Sequence, residues 1–412
     1  MNNSMYNLYR LLTFFLHFFL RLYLKIRILK NKEDPQRYEE KLGIYKIKNF
    51  YTDLWFHAAS LGEIKSITPL IFNYSKNNKI LITTSTLSSS KYCEYMFNND
   101  RNIIHQFAPL DSPQIVKRFL QYWKPRLSIF VDSELWPNLI FESKKISKLI
   151  LLNARLSDRS FKKWQLIKNF ARKIFTKFDS IIVQSKKDKS FIEFFEIHNI
   201  KFFGNLKFID FNEEKTVNKF LFLKKIDFTW VAMSTHDGEE QFIVETIKQI
   251  KQTNNKSQCV LIPRHISRIQ NIINLLEQNN LIWQLRTNQP NPLENTDIFI
   301  LNTYGEAKDI FKKNKLVFLG GSIIAHGGQN PLEPAREGCT LFHGPNVSNF
   351  DEIYDFLNKN NISILTKTPE ILARELIKNY ENPTNNNNFA SVVKQHGQKI
   401  LLDHINYLNS FI

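Results

Sequence analysis

The glycine-rich stretch FLGGSIIAHGGQNPLEPA, residues 318 to 335, carries groups that could bind an anion. Two glycine pairs, at 320–321 and 327–328, would let backbone N–H groups approach a ligand without an intervening Cβ. A helix start after such a turn adds a partial positive charge, and Arg264, after another apolar run, adds a full one. Glycine pairs also occur in plain tight turns, and the chain has no GxGxxG or Walker sequence. These residues therefore indicate an anion site without identifying the anion.

The segment NPLEPA within this stretch is more specific, because it combines a helix start with a hydrogen-bond acceptor. Asn330 is a predicted N-cap, and Pro331 is predicted at the first helical position. Glu333 then places a carboxylate in the first turn, where it can accept hydrogen bonds such as those of a ribose diol. A capped helix with no ligand would explain Asn330 and Pro331 equally well.

Polar segments follow the apolar runs in both halves of the chain. Glu63 lies in SLGE, Glu134 in DSELWPN and Glu306 in TYGE. Because ligands of doubly wound sheets bind beyond the carboxyl ends of the strands, these segments are candidate site residues. The alternative for Glu63 is a glutamate at a helix start, which the helix dipole favours, and for Glu134 it is a cap on the helix that Pro137 helps to begin.

Short apolar runs separated by helix-length segments predict an α/β protein with parallel sheets. These runs are LWFHAA, KILITTST, LSIFVD, KLILLNA and SIIVQS in the first half, then TWVAMST, CVLIPR, DIFILN and LVFLGG. A charged segment without a strand signal lies between the two sets and predicts two Rossmann-like domains whose polar faces meet across a cleft. We expect domains over 33–210 and 229–388, a junction over 211–228, and an amphipathic helix over 389–412.

The charge of the chain favours an anionic partner. Its 412 residues include 56 Lys and Arg against 39 Asp and Glu, a net charge of +17, which suits nucleic acid, a membrane surface or an acidic substrate. The basic residues are spread along the chain without an RRM, KH or helix-turn-helix signature, which disfavours a nucleic-acid binder. The cysteines Cys93, Cys259 and Cys339 form no CxxC pair, so a reducing cytoplasm is expected.

The first 32 residues combine six basic residues, no acidic residue and an uncharged run of Leu and Phe between Arg10 and Arg21. That run is shorter than the ~20 residues that cross a bilayer. We therefore predict a helix that associates with an anionic membrane surface, with Arg21 and the basic residues after it at the interface. The alternative is an ordinary core helix with basic residues at its end.

Ten motifs, in this order, resemble those of the Kdo transferases, the 3-deoxy-D-manno-octulosonic acid transferases of lipopolysaccharide synthesis. They are FHAASLGE, TTST, SELWPN, NARLSDRS, GNLKF, STHDGEE, PRH, YGE, GGQNPLEPA and GPNVSNF. The resemblance extends from about Leu42 to the end of the last domain, and the basic N-terminal helix resembles the membrane anchor of that family. It implies a GT-B architecture and transfer of Kdo from CMP-Kdo to a lipid A precursor, lipid IVA, at the cytoplasmic face of the inner membrane.

The same resemblance implies roles for individual residues. Glu63 matches the proton acceptor, and Glu134 and Lys207 match the positions assigned to transition-state stabilisation. The residues that match the CMP-binding segments are Pro263, Arg264, Tyr304, Gly305, Glu306, Asn330, Pro331, Leu332 and Glu333. The chain departs from the family at Gln329, where histidine is usual, so an amide must make any contact there.

No metal or other cofactor is expected, because the chain lacks Asp-x-Asp and CMP has a single phosphate. The expected partners are CMP-Kdo, the lipid A precursor and the anionic membrane surface, with no nucleic acid. The alternative function is a GT-B enzyme that uses another nucleotide sugar, such as a UDP-sugar transferase or epimerase. The number of Kdo units added, the acyl preference and the oligomeric state cannot be read from the sequence.

Overall fold

The computed structural model describes residues 4–47, 50–210, 228–253, 257–289, 291–383 and 387–412. The chain divides into two compact units: unit 1 is Met1–Phe211 with Gly397–Ile412, and unit 2 is Asn212–His396. All but the last residue of the predicted junction at 211–228 lies outside the described residues, and that last residue, Phe228, begins a strand.

A parallel sheet in the order β3-β2-β1-β4-β5-β6-β7 forms the centre of unit 1. Its strands are β1 (Leu54–His57), β2 (Ile80–Thr84), β3 (Ile103–Phe107), β4 (Leu127–Val131), β5 (Lys148–Ala154), β6 (Ser180–Val183) and β7 (Ile200–Phe202). Every residue of β1, β2 and β4 is buried, as expected for parallel strands that helices cover on both faces. The continuous apolar runs of the sequence are these central strands.

Helices connect the strands of unit 1. They are α1 (Ser4–Leu29), α2 (Leu61–Ser75), α3 (Leu87–Phe97), α4 (Pro113–Trp123), α5 (Pro137–Ser143), α6 (Asp158–Gln165), α7 (Lys168–Phe175) and α8 (Lys186–Glu193). Side-chain caps fix several of their starts; for example, the Ser185 hydroxyl accepts the N–H of Asp188 at the start of α8 (2.9 Å).

Helix α1 packs on unit 1 along one side only. Tyr6 stacks on Phe141 of α5 with ring centroids 4.0 Å apart, and Leu24 is fully buried against Leu42 and Ile115. Most of its other large apolar side chains are exposed, including Phe18 at 70%. No helix in the described part of the chain is both long and apolar enough to cross a membrane.

Unit 2 repeats the architecture with a parallel sheet in the order β10-β11-β9-β8-β12-β13-β14. Its strands are β8 (Phe228–Thr235), β9 (Ser257–Pro263), β10 (Trp283–Leu285), β11 (Ile298–Ile300), β12 (Leu316–Leu319), β13 (Thr340–His343) and β14 (Ser363–Leu365). Its helices are α9 (Glu239–Thr253), α10 (Ile269–Gln278), α11 (Ala307–Lys313), α12 (Leu332–Arg336), α13 (Asp351–Lys359) and α14 (Pro369–Glu381).

The chain closes with helix α15 (Asn387–Leu408), in the region where the sequence predicts an amphipathic helix. Its C-terminal part belongs to unit 1, where the Tyr74 hydroxyl donates to the carbonyl oxygen of Ile405 (3.2 Å) and Ser180 hydrogen-bonds Tyr407. The prediction of an α/β chain with two doubly wound parallel sheets is confirmed.

Candidate functional site

In unit 1, the strand order reverses between β1 and β4. The chain runs outward from β1 through β2 to β3, then returns to β4 on the other side of β1. A crevice opens at such a switch point, beyond the carboxyl ends of the two strands. Glu63 follows β1 and Glu134 follows β4, so the structure places both predicted carboxylates at this crevice.

Glu63 lies in the first turn of α2, held by the segment that precedes the helix. The Ser60 hydroxyl donates to Oε1 (2.7 Å), the Ala59 N–H donates to Oε2 (2.8 Å), and the Glu63 N–H donates to Ser60 Oγ (3.4 Å). Burial, with the charges of Asp132 and Glu134, raises the pKa of Glu63 to about 7 despite these hydrogen bonds. Glu63 is thus a helix-start residue, as the alternative holds, and also a carboxylate with the pKa of a general base.

Glu134 does not cap a helix. Trp136 is the N-cap of α5 without a side-chain cap bond, and the carboxylate of Asp111 accepts the N–H groups of Asn138 (3.1 Å) and Leu139 (2.7 Å) instead. The indole N–H of Trp136 donates to Glu134 Oε2 at 2.6 Å. The geometry therefore excludes the capping alternative for Glu134.

Buried His57 lies on the other side of Glu134, with Nε2 3.5 Å from Oε2 of the carboxylate. Thr83 Oγ1 accepts the indole N–H of Trp55 (2.8 Å) and lies 2.9 Å from His57 Nδ1. We assign the Thr83 hydroxyl proton to Nδ1, which leaves the ring proton on Nε2, facing Glu134. Burial opposes ionisation of Glu134, but the interactions with His57 and then Trp136 outweigh it and hold its pKa below the usual value.

Lys207 reaches the same end of the sheet from the 3₁₀ turn Leu206–Phe208, after β7. The turn is fixed by two asparagines: Asn205 Oδ1 accepts the Lys207 N–H (3.0 Å), and Asn153 Oδ1 accepts the Leu206 N–H (3.1 Å). Burial lowers the pKa of Lys207, while the charges of Asp132 and Glu63 oppose that shift. The structure thus brings all three predicted catalytic residues into one electrostatically coupled group.

Asp132 is a member of this group that the sequence did not single out. It follows β4 with a left-handed φ of 57°, and its Oδ1 accepts from Asn153 Nδ2 (2.8 Å). Burial raises its pKa, and the charge of Lys207 opposes that shift. The available signal was its position at the start of DSELWPN, directly after an apolar run.

Unit 2 has a corresponding crevice between β8 and β12, where its strand order reverses. The turn after β12 begins close against β8: a Cβ built on Gly320 would lie 2.5 Å from the carbonyl oxygen of Ser234, near the end of that strand. Glycine at 320 is therefore required by the close approach of two backbones, with no ligand involved.

A buried carboxylate accepts hydrogen bonds from the N–H groups of the glycine-rich turn. Glu239 accepts from the N–H of Gly321 (2.6 Å), Ser322 (3.0 Å), Ile323 (2.9 Å) and His236 (3.0 Å), and it is fully buried. The expectation that the turn at 320–321 offers its N–H groups to a ligand is wrong for the groups at 321–323. The Glu239 side chain, at the start of α9, binds where an anionic ligand was expected.

The NPLE segment divides into two buried and two exposed residues. Asn330 Oδ1 accepts the Leu332 N–H (3.1 Å), and α12 begins at Leu332, so Pro331 is the N-cap and not the first helical residue. This one-residue difference is within the usual spread of helix boundaries. Pro331 and Leu332 are buried, whereas Asn330 and Glu333 are exposed.

Arg264 leaves the end of β9 at the same edge of the sheet. Pro263 before it is buried, and the Arg264 N–H donates to the carbonyl oxygen of Thr235 (3.1 Å), which fixes the backbone. The guanidinium is exposed and forms no hydrogen bond or ion pair within the described residues. It does not brace Glu239, whose oxygens are held by backbone N–H groups.

The YGE segment follows β11. Tyr304 is 85% exposed, and Gly305 has a left-handed φ of 86° with open space where a Cβ would lie. Glu306 accepts from Arg286 Nε (3.0 Å) and from the Thr303 hydroxyl (2.9 Å). Tyr304 and Gly305 can approach a ligand directly, and Glu306 mainly holds the loop.

The imidazole of His236, after β8, lies beside the predicted nucleotide residues. Its ring centroid is 4.1 Å from that of His326 and 6.1 Å from that of His265. Gln329 Nε2 lies 3.0 Å from His236 Nε2. No periodic signal predicted these contacts, because their residues come from three different loops. Across the described ranges, no group of three or more His, Cys, Asp or Glu side chains is arranged to hold a metal ion.

Comparison with known proteins connects this geometry to one family. A family model for 3-deoxy-D-manno-octulosonic-acid transferase (kdotransferase) matches residues 36–209. The 3-deoxy-D-manno-octulosonic acid transferase of Rickettsia prowazekii (strain Madrid E) is 34% identical over 372 residues, 87% of this chain and 80% of that protein. The Rickettsia bellii (strain RML369-C) protein of the same name is 32% identical over 99% of this chain and 100% of its own length.

A solved structure supports the fold. The glycosyltransferase from Rickettsia africae ESF-5 superposes with a TM-score of 0.55 at 12% identity, over 88% of this chain and 99% of that chain. At that identity the likeness concerns architecture alone, and it confirms the predicted GT-B class. The two relatives, 34% and 32% identical over most of this chain, show that the chain belongs to the Kdo transferase family of glycosyltransferases.

Proposed function

We propose that this chain transfers Kdo from CMP-Kdo to a lipid A precursor, lipid IVA, in lipopolysaccharide biosynthesis, with CMP as the leaving group. Glu63 is the general base, Glu134 and Lys207 stabilise the transition state, and unit 2 binds the nucleotide. The reaction takes place at the cytoplasmic face of the inner membrane.

The place of Glu63 at a switch point, together with its raised pKa in a chain of the Kdo transferase family, supports this proposal. A sugar hydroxyl is a poor nucleophile at neutral pH, so its proton must leave as the glycosidic bond forms. A carboxylate with a pKa of about 7 at a switch-point crevice is about half ionised near neutral pH, and its ionised form can accept that proton. The Ser60 and Ala59 hydrogen bonds fix the direction of the carboxylate.

Glu134 and Lys207 supply charges of opposite sign. Bond cleavage leaves negative charge on the CMP phosphate, which the ammonium of Lys207 can neutralise. The sugar passes through an oxocarbenium-like state, which the ionised Glu134 can stabilise. His57 and Trp136 favour the ionised form of Glu134, in keeping with that role.

On unit 2, the exposed groups of the predicted CMP segments support nucleotide binding. The Arg264 guanidinium is suited to paired contacts with the phosphate. Asn330 and Glu333 present an amide and a carboxylate from the start of α12, suited to a ribose, and the Tyr304–Gly305 loop is open.

The exposed side of α1 supports the membrane part of the proposal. Phe15, Phe18 and Phe19 are 57%, 70% and 65% exposed, and Arg21 and Lys25 are exposed nearby. An amphipathic helix of this kind lies in the interface of an anionic bilayer. The buried contacts of Tyr6 and Leu24 attach it to unit 1, so the helix would hold the domain at the surface.

The reaction is tested by incubating the protein with CMP-Kdo and a bisphosphorylated lipid A precursor. Mass spectrometry of the lipid should show the addition of Kdo and should count the units added, while chromatography should show free CMP. Release of a different nucleotide from a different sugar donor, with no reaction of CMP-Kdo, would instead support the alternative GT-B enzyme.

The membrane proposal is tested by changing Phe15, Phe18 and Phe19 to serine together. Binding to vesicles that contain anionic lipid should fall by about tenfold or more, with an unchanged melting temperature, because these side chains make no core contact. The matched control is Leu166→Ser, an 86% exposed apolar residue outside α1. Equal vesicle binding by the triple variant and the control would refute the interfacial role of α1.

A further inference from the structure

Three side chains converge over Gly321 in the crevice of unit 2. A Cβ built on Gly321 would lie 3.3 Å from His326 Nδ1, 3.3 Å from Gln329 Nε2 and 3.4 Å from His236 Cδ2. The turn after β12 is itself fixed, because the Gly328 N–H donates to the Gly321 carbonyl oxygen (2.7 Å). We call His236, His326 and Gln329 the imidazole cluster.

The side chains that act electrostatically on His236 of the imidazole cluster are mainly basic ones. His265 and Arg264 approach His236 from the loop after β9, and His326 approaches it from the turn after β12. The one carboxylate that acts on His236 is Glu239 of α9, whose oxygens are turned into the backbone N–H groups of the turn. The nearby Asp237 is paired with Arg268 (2.7 Å).

The resting state of His236 follows from these neighbours. Burial, with the charges of His326, His265 and Arg264, lowers its pKa against the opposing effect of Glu239. The amide nitrogen of Gln329 therefore donates to an unprotonated Nε2 at 3.0 Å. The imidazole cluster itself contains no carboxylate. A bound anion would favour protonation of His236, which would give the cluster a positive charge.

The chemistry of the donor supplies such an anion. In CMP-Kdo the anomeric carbon carries both the phosphate ester oxygen and the sugar carboxylate, so two negative groups lie within a few bonds of each other. Arg264 can neutralise one of them, and a second positive group must then lie beside it at the crevice.

Given the donor named under the proposed function, we propose that the imidazole cluster binds the carboxylate of the transferred sugar acid. His236 takes up a proton as the carboxylate enters, and the Gln329 amide turns to present its oxygen to the protonated ring. The cluster thereby distinguishes a sugar acid from a neutral sugar on the same nucleotide. Arg264 binds the phosphate of both kinds of donor.

The test compares CMP-Kdo with the methyl phosphodiester of CMP, which has the same phosphodiester charge and no carboxylate. In calorimetric titrations without acceptor, wild type should bind CMP-Kdo about tenfold or more tighter than the methyl ester. His236→Asn should remove this preference while leaving the methyl ester affinity within about twofold. Titration in two buffers of different ionisation enthalpy should show net proton uptake with CMP-Kdo alone, and none in the variant.

A second variant keeps the test decisive if His236→Asn does not fold. Gln329→Glu has the same shape and places a negative charge 3.0 Å from His236, so it should weaken CMP-Kdo more than the methyl ester. His198→Asn, an exposed histidine of unit 1, is the control and should leave both affinities unchanged.

The outcomes separate this inference from the proposed function. If wild type binds neither CMP-Kdo nor the methyl ester, the proposed function fails. If wild type binds both and the cluster variants lose both ligands in equal proportion, or lose neither, the carboxylate assignment alone is overturned.

Discussion

The two crevices occupy equivalent places in their sheets but contain opposite chemistry. In unit 1, Glu63, Asp132 and Glu134 lie close enough to shift one another's pKa values, with Lys207 among them. In unit 2, the central carboxylate, Glu239, is saturated by backbone N–H groups and is not available to a ligand.

Under the proposed function, this difference separates proton transfer in unit 1 from nucleotide binding in unit 2. Carboxylates that lie close together in a partly buried site have raised or lowered pKa values. General acid–base catalysis needs such shifted pKa values. In the unit 2 crevice, the Glu239 carboxylate is hydrogen-bonded to backbone N–H groups of the protein. The exposed Arg264 and the histidines can therefore contact an anion. The proposed tasks of the two units thus differ through the side chains that follow β1 and β4 in unit 1 and β8, β9 and β12 in unit 2.

The strongest test of the comparison is Glu63→Gln. The amide keeps the size of the carboxylate but cannot accept the acceptor's proton, so turnover should fall by about 10²-fold or more while CMP affinity stays nearly unchanged. Steady-state kinetics with CMP-Kdo and calorimetry with CMP measure the two effects.

The control for Glu63→Gln is Glu142→Gln, a half-buried carboxylate of α5 that forms an ion pair with Lys145. It should leave turnover unchanged. Near-normal turnover in Glu63→Gln would refute its assignment as the base.

Replacing Arg264 tests the other crevice. Arg264→Ala should lose roughly 2–4 kcal/mol of CMP binding, and Arg264→Lys should lose less, because an ammonium imitates the paired guanidinium contact poorly. Cytidine, which lacks the phosphate, should bind all three proteins with similar weak affinity. Equal losses for cytidine and CMP would remove Arg264 from the phosphate.

Glu239→Gln tests whether the internal carboxylate is structural. The amide would place an NH₂ group against backbone N–H donors, so the free energy of unfolding should fall by about 1–3 kcal/mol. Urea unfolding followed by circular dichroism measures this, with Glu245→Gln on the exposed side of α9 as the matched control. Unchanged stability together with lost CMP binding would show that Glu239 contacts the ligand.

The smallest predicted effect is the pH dependence of kcat/KM, which reports the pKa values of the free enzyme. Because Glu63 must be ionised to accept a proton and its pKa is raised to about 7, kcat/KM should fall about tenfold per pH unit below that value and level off above it. This acid limb should be absent from the residual activity of Glu63→Gln. A flat profile between about pH 5.5 and 7 in wild type would contradict the raised pKa.

The sequence predicted the central strands of both sheets because a parallel strand covered on both faces is a continuous apolar run. It did not predict the outer ones. Strand β3 contains His105 and Gln106, and β7, β10 and β14 have only three residues each, so composition does not mark them. Strand β13 was also missed; it is fully buried and spans four residues that end in a histidine, as β1 does, so its length and composition do not explain the miss.

The sequence also predicted that the candidate residues follow the ends of strands, and the structure shows them there. It could not show that Asp132 joins Glu63 or that His57 faces Glu134, since these contacts depend on which strands are neighbours. The contacts of Glu239 were missed for the same reason: a helix-start glutamate and a glycine turn look like two separate features until β8 and β12 are paired.

The Glu239 contacts have a consequence for how the chain folds during synthesis. They join residues 82 to 84 positions apart, so they close a long loop and form late compared with local contacts. Until the turn after β12 has emerged from the ribosome, the Glu239 carboxylate has only the N–H of His236 as a partner in this set. A nascent chain that ends before residue 321 therefore contains the strand and helix of the donor crevice without the contacts that give the crevice its shape.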